Sequence, residues 1–275
     1  MRRRPSAARR NLRLHYGGIL IALFLATGTV GPHLLRDNPN AIDLTQNLAP
    51  PTGRHPFGTD TEGRDLLSRV VVGARTDLVM SVSAVALGGV TGIACGLVAG
   101  YYPRVRTPIM RFMDVLLAFP SLVVALGIIA VVGSSLRNVI IALAIYQVPQ
   151  FTRLVNGVVL SLREQAYVES ARAAGARDGR IIGRYIVPNM LPPVIVQISL
   201  FVPSAITIGA SLSFLGLGIS PPTAEWGSML QNSLEWAGMA PHVMIAPGLA
   251  LMAVILGFNL FGDGLRDALD PRLRI

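Results

Sequence analysis

Six stretches of this chain carry no charged side chain: 16–35, 78–103, 115–136, 138–152, 185–224 and 237–262. Most match or exceed the roughly 20 apolar residues that a helix needs to cross the hydrocarbon core of a bilayer. The fourth is shorter, but Leu154 to Leu162 continues it beyond Arg153, which then sits near a membrane surface. The pattern predicts six membrane-spanning helices and an all-α integral membrane protein. The first span covers 16–36 and the other five lie within 78–265, with a basic tail over 1–15 and a short tail over 266–275.

The polar intervals refine this outline. Residues 37–77 are rich in Pro, Gly and Asp and predict little regular structure until Asp65, where DLLSRVVVGARTDL begins a short amphipathic helix leading into the second span. Spans three and four are joined only by Gly133 to Asn138, so they are antiparallel neighbours. Small residues crowd the second and fifth spans, as at Gly88, Gly89, Gly92, Gly96 and Ser211 to Gly218, which suits close helix packing. Pro120, Pro149 and Pro203 predict kinks whose freed carbonyl groups need partners from neighbouring helices or water. Tyr101, Tyr102, Trp226 and Trp236 fall at predicted membrane interfaces, where aromatic rings with a polar tip are favoured.

Composition supports a membrane location: 52% of the 275 residues are hydrophobic and 14% charged, against about 25% charged in a soluble domain. All 24 basic residues are arginine. No lysine means no P-loop of the G-x-x-x-x-G-K-[ST] kind and no lysine Schiff base. With six alternating spans, seventeen arginines fall on one side and six on the other, Arg153 standing at a boundary. The positive-inside rule makes the richer side cytoplasmic, with both termini and the loop after span four. The net charge of +9 thus follows from topology, without nucleic-acid binding. A cleaved signal peptide is the rival reading of 1–35, but the apolar run is long and Gly31-Pro32-His33 is a poor cleavage site, which favours an uncleaved anchor.

Candidate chemistry is sparse. Cys95 lies in an apolar run and reads as a small buried hydrophobe. The histidines at 15, 33, 55 and 242 are dispersed, and no H-x-x-x-H pair exists. Asp60, Glu62 and Asp65, with His55 nearby, could form a hard-cation site. Their spacing matches no EF-hand and Arg64 sits among them, so a loop that caps the helix after Asp65 is the better reading, and no metal site is assigned. No deep ionisable pair or inverted repeat suggests an ion-driven transporter. No histidine at mid-depth suggests an intramembrane hydrolase.

The stretch EQAYVESARAAGARDGRIIGRYIVPNMLPP, from Glu164, is an arginine-rich island between spans four and five. It predicts a helix over 164–174, a break at Gly175 with positive φ, and a second helix over 177–186 ending before Pro188. Glu169 and Arg172 are spaced to pair, and Ala171, Ala173 and Ala174 leave a low-profile surface. Glu169, Ala171, Ala173, Gly175, Ile186 and Pro188 in this order resemble the E-A-A, G, I-x-L-P loop of ABC-transporter permeases, with Ser170 where that family most often has alanine. HPFGTDTEGRDLLSRVVVGARTDL from His55, SLSFLGLGISPPTAEWGSML from Ser211 and GFNLFGDGLRDALDPR from Gly257 are similar to further blocks of the C-type permeases of dipeptide and oligopeptide importers. The resemblance implies a type I, MetI-like fold and ATP-driven import of peptides by alternating access. It implies a heterodimer with a second permease, two cytoplasmic ATPase subunits that bind ATP and Mg, and an external substrate-binding protein. The loop 163–190 would be the coupling loop, and the chain itself would hold no cofactor and no catalytic residue.

Overall fold

The computed structural model describes residues 7–35 and 38–269, and among these the regular structure is entirely helical. Helix α1 runs Ala7–Thr29, followed by the short α2, Gly31–Leu34. The expected tail over 1–15 is therefore helical from Ala7. Ala, Leu and Arg are strong helix formers, and nothing between Ala7 and Tyr16 breaks the helix. The ends of both expected tails, 1–6 and 270–275, lie outside the described residues.

Helix α3 spans Leu66–Tyr101 without interruption, 36 residues. Asp65 is its N-cap, as expected, its Oδ2 accepting from the Ser68 amide at 2.7 Å. The expected separate amphipathic helix is instead the first turns of this one, because no Pro, and no Gly in a turn conformation, interrupts it.

Helices α4, Pro103–Leu117, and α5, Ser121–Val132, meet at 87°. A straight third span over 115–136 is thus replaced by a bent pair. Pro120 lacks an N–H and disfavours helical geometry at Phe119, which ends α4. Helix α6 is Leu136–Arg163, with Ser135 capping it through the Asn138 amide. Then follow α7, Ala166–Ala173; α8, Asp178–Ile181; α9, Val187–Phe214; α10, Trp226–Ser233; and α11, His242–Leu269.

Among the described residues, four helical segments are long and apolar enough to cross a membrane alone: Leu12–Thr29, Leu66–Tyr101, Asp178–Phe214 and His242–Leu269. The α4–α5 pair makes a fifth if counted as one span. Helix α6 has the length, 28 residues, but Arg137, Arg153, Gln147, Gln150 and Asn156 dilute its apolar character. Six spans are reached only by counting the bent pair and α6.

Glycines set how closely the helices pack. Gly88, Gly92, Gly96 and Gly100 recur at intervals of four along α3 and all face α6. A Cβ on Gly92 would lie 2.6 Å from both Phe151 Cβ and the Val148 carbonyl oxygen, so the two backbones touch. Thr152 Oγ1 donates across this seam to the Gly92 carbonyl at 3.2 Å. Helices α1 and α11 make a second close pair, in which a Cβ on Gly17 would sit 2.5 Å from the Phe261 amide nitrogen.

Candidate functional site

The connection between α6 and α9 is built as a braced elbow. At the end of α6, Arg163 Nη1 donates to the carbonyls of Gly100 and Tyr101, at 3.3 and 3.5 Å. These are carbonyls at the C-terminus of α3, which no further helical turn satisfies. Helix α7 then turns one residue inward: Val168 is fully buried against Tyr101, Val155, Val159, Ile181, Ile186, Met190 and Val194. That cluster draws side chains from α3, α6 and α9, so it ties the elbow to all three.

The break is a Schellman motif. Gly175 has φ +80, its amide donates to the Arg172 carbonyl, and the Ala176 amide donates to Ala171, both at 3.0 Å. The expected helix, break and helix are present with the expected positive φ. The second helix differs from expectation. Helix α8 passes through a π-type turn, Ile182–Ile186, straight into α9, and Pro188 lies in the first turn of α9. The wider turn joins the Val187 amide to the Ile182 carbonyl, so the helix resumes ahead of a residue that has no N–H to give.

The elbow divides the sequence-predicted residues. Glu169, Ala173 and Gly175 are exposed, Ala171 is half-buried, Pro188 is exposed on α9, and Ile186 is wholly buried. Ile186 is thus an anchor inside the cluster and no part of the outward face. The expected Glu169–Arg172 pair does not form, and both side chains are exposed. Among the described residues Glu169 has no ion-pair partner. A Cβ on Gly175 would meet nothing within 4 Å. What faces outward at the end of α7 is a low patch of Ala173, Ala174 and Gly175 beside the Glu169 carboxylate, flanked by the exposed Tyr167, Ser170 and Arg172.

Two members of the elbow escape sequence reasoning. Tyr101 Oη donates to Asp178 Oδ1 at 2.7 Å, and Arg163 clamps the end of α3. Both join residues more than sixty positions apart, and no local pattern marks them.

At the far end of α3 the 38–65 segment is knitted by charge. Asp60 Oδ2 receives Arg64 Nε at 2.7 Å and Arg69 Nε at 3.3 Å, and Glu62 pairs with Arg64 at 2.9 Å. Arg64 and Arg69 are 4% and 2% exposed, so the burial of each charge is offset by carboxylate partners. His55 Nδ1 lies 2.9 Å from Asp65 Oδ1. The carboxylates of the candidate cation site, Asp60, Glu62 and Asp65, are taken up by arginines, a helix cap and a histidine. Asp43 caps the turn at Leu44–Gln46, and hydrogen bonds from the Thr45 hydroxyl and amide hold its carboxyl below the usual range.

Residues 90–275 match the family described as the inner membrane component of binding-protein-dependent transport systems. The chain is 44% identical over 259 residues to the dipeptide transport system permease protein DppC of Alkalihalophilus pseudofirmus, covering 94% of this chain and 85% of that one. It is 42% identical over 271 residues to the glutathione transport system permease protein GsiD of Pectobacterium atrosepticum, covering 97% and 90%. It is also 42% identical over 255 residues to the probable D,D-dipeptide transport system permease protein DdpC of Escherichia coli, covering 92% and 86%. In structure it resembles a chain of the MetNI methionine ABC transporter in an inward-facing conformation, with TM-score 0.62 at 17% identity, over 74% of this chain and 98% of that one. The expected MetI-like fold is the fold found. These relatives are transport components and not enzymes, and a multi-helical chain with this match over two thirds of its length belongs to the family of inner membrane permease components of binding-protein-dependent transport systems.

Proposed function

We propose that the chain is one of two non-identical permease subunits of an ATP-driven importer of di- or oligopeptides. Both termini and the α7–α8 elbow lie on the cytoplasmic side, and the outward face of Glu169, Ala173 and Gly175 docks on a cytoplasmic ATPase subunit. The peptide substrate class is supported by the relatives, which carry dipeptides, D,D-dipeptides or glutathione by name. The orientation is supported by the arginine asymmetry, seventeen against six.

The observation that carries the coupling role is the combination of a smooth outward face with a rigid inward anchor. The small residues Ala173, Ala174 and Gly175 at the end of α7 let the turn seat in a groove, while Val168 and Ile181 are locked among residues of α3, α6 and α9. A push on α7 is thereby delivered to three membrane helices at once. Nucleotide-driven closure of the ATPase pair would move the elbow, and the attached helices would alternate access between the two sides.

The test is made in the reconstituted complex with its binding protein. Ala173→Arg places a long charged side chain on the docking face without touching the buried cluster, and Gly175→Val adds about 1–3 kcal/mol of backbone strain at positive φ. Both should abolish substrate uptake and binding-protein-stimulated ATP hydrolysis while the permease pair still co-purifies. Wild-type uptake by the Ala173→Arg complex would show that the elbow is only a connector.

A further inference from the structure

Two carboxyl groups meet inside the protein at the outer end of the bundle, where no part of the proposed transport cycle uses them. Asp77 belongs to α3 and Glu225 is the N-cap of α10, and both are wholly buried. Trp226, whose amide approaches Asp77 Oδ2, directly follows Glu225 in the chain, so the two carboxyl groups are brought to the same buried place. Glu225 is well supplied with donors: its oxygens accept from the amides of Gly227 at 2.8 Å and Ser228 at 2.7 Å. Asp77 is not. Its Oδ2 has a long contact, 3.4 Å, from the Trp226 amide, and its Oδ1 is buried with no partner.

The charged groups around the pair do not relieve it. Arg69, two turns earlier on α3, is held by Asp60, and Arg75 is exposed. Helix α9 has no ionisable residue, α1 has none between Tyr16 and its end, and on α6 Arg137 is exposed and Arg153 is paired with Asp114. On α11 the first residue, His242, is turned to Gly58, and Glu235 beyond α10 is acidic. Two facing carboxylates would therefore be two buried acceptors with no donor between them, which costs both desolvation and like-charge repulsion.

We propose that Asp77 and Glu225 hold a single proton between them, and that this proton fastens α10 to α3. The proton resides on Asp77, whose Oδ1 has no other use, and Asp77 donates to the Glu225 carboxylate that the α10 amides already hold. One proton converts a contact of two acceptors into a hydrogen bond. What it fastens is the tryptophan wedge: Trp226 is 2% exposed, donates through Nε1 to the Val70 carbonyl at 2.9 Å, and packs on Phe24 of α1 at 5.8 Å between ring centroids. A Cβ on Gly73 would lie 2.8 Å from its indole, so α3 is shaped to receive it. Burial pushes Glu225 above the usual carboxylate range, which agrees with a proton retained on the pair.

The sign of the pH dependence follows. The folded state keeps a proton that the unfolded chain releases in the ordinary carboxylate range, so stability falls as pH rises above that range and through the higher value of the pair. The experiment uses the whole transporter with Trp236→Phe, which leaves Trp226 as the tryptophan of this subunit. The other subunits are prepared with 4-fluorotryptophan, which does not fluoresce, so that the emission of Trp226 is resolved. Melting temperature and Trp226 emission are followed from about pH 6 to about pH 10, together with the infrared carbonyl band of a protonated carboxyl. The expected result is a protonated-carboxyl band at neutral pH, and at alkaline pH its loss together with a red shift of Trp226 and a fall of several degrees in melting temperature. Asp77→Asn, whose amide donates to Glu225 at any pH, should remove the band and flatten the alkaline loss. If Asp77→Asn fails to assemble, Glu225→Gln makes the same comparison, and the band in the unmodified protein decides alone if both fail. An absent band at neutral pH, or an alkaline loss unchanged in the variant, would overturn the proposal.

Discussion

Adjacent glycines in α1 should respond in opposite ways to the same methyl group. At Gly17 an added Cβ would lie 2.5 Å from the Phe261 amide nitrogen, 2.8 Å from the Gly257 carbonyl oxygen and 2.9 Å from Phe261 Cα. All three are backbone atoms of α11 and cannot rotate away. Ordinary contacts sit near 3.5–4.0 Å, so α1 must retreat by roughly 1 Å. The retreat would loosen the rest of the seam, where Gly257 meets Leu20 and Gly264 meets Leu14. Overpacking of this kind costs about 1–3 kcal/mol. At Gly18 the same Cβ meets nothing within 4 Å. There the change only removes backbone freedom from a helix interior, a gain of about 0.5–1 kcal/mol. The two single variants should therefore differ by about 1.5–4 kcal/mol, Gly17→Ala below wild type and Gly18→Ala at or above it. Thermal unfolding of the purified complex in detergent, followed by size-exclusion of the surviving fraction, reads the difference. Equal melting temperatures for the two variants would refute the close α1–α11 packing.

Two further expectations test the elbow and the external segment. Tyr101→Phe removes the hydroxyl that donates to Asp178 at 2.7 Å, a loss of about 0.5–1.5 kcal/mol; amide exchange should quicken over 166–181 and stay unchanged in α11, and uniform exchange behaviour would count against the contact. Asp43 has a lowered folded value, first because of the Thr45 hydroxyl and then its amide. Its cap is therefore fully formed above the ordinary aspartate range and lost only as pH falls through that lowered value. A carboxyl-carbon NMR titration should place its midpoint below that of an unfolded aspartate, and a midpoint at the ordinary value would exclude the cap.

Much of the protein can be read from local pattern, because the responsible physics acts over a few residues. Uncharged runs locate α1, α3, α9 and α11, Asp65 announces the start of α3, and Gly175 with its flanking alanines announces the elbow. Pro120 was legible as a perturbation but not as an 87° turn, since a proline removes one hydrogen bond and only the surrounding helices determine how far the chain then bends. Pro188 read as a stop, yet a π turn carries the helix past it. The sequence also places Ile186 and Glu169 in one motif, while packing alone sends the first into a core and leaves the second on the surface.

By itself the sequence determines which segments seek the bilayer, where helices begin, and where the chain needs a positive φ, because hydrophobicity, capping and backbone sterics are properties of neighbours along the chain. Only the tertiary structure decides which of Gly17 and Gly18 touches α11, that Tyr101 and Arg163 bind the elbow to α3, and that Asp77 and Glu225 meet. Those contacts join residues far apart in sequence, and their energies come from close approach and from the exclusion of water, neither of which exists until the helices have packed.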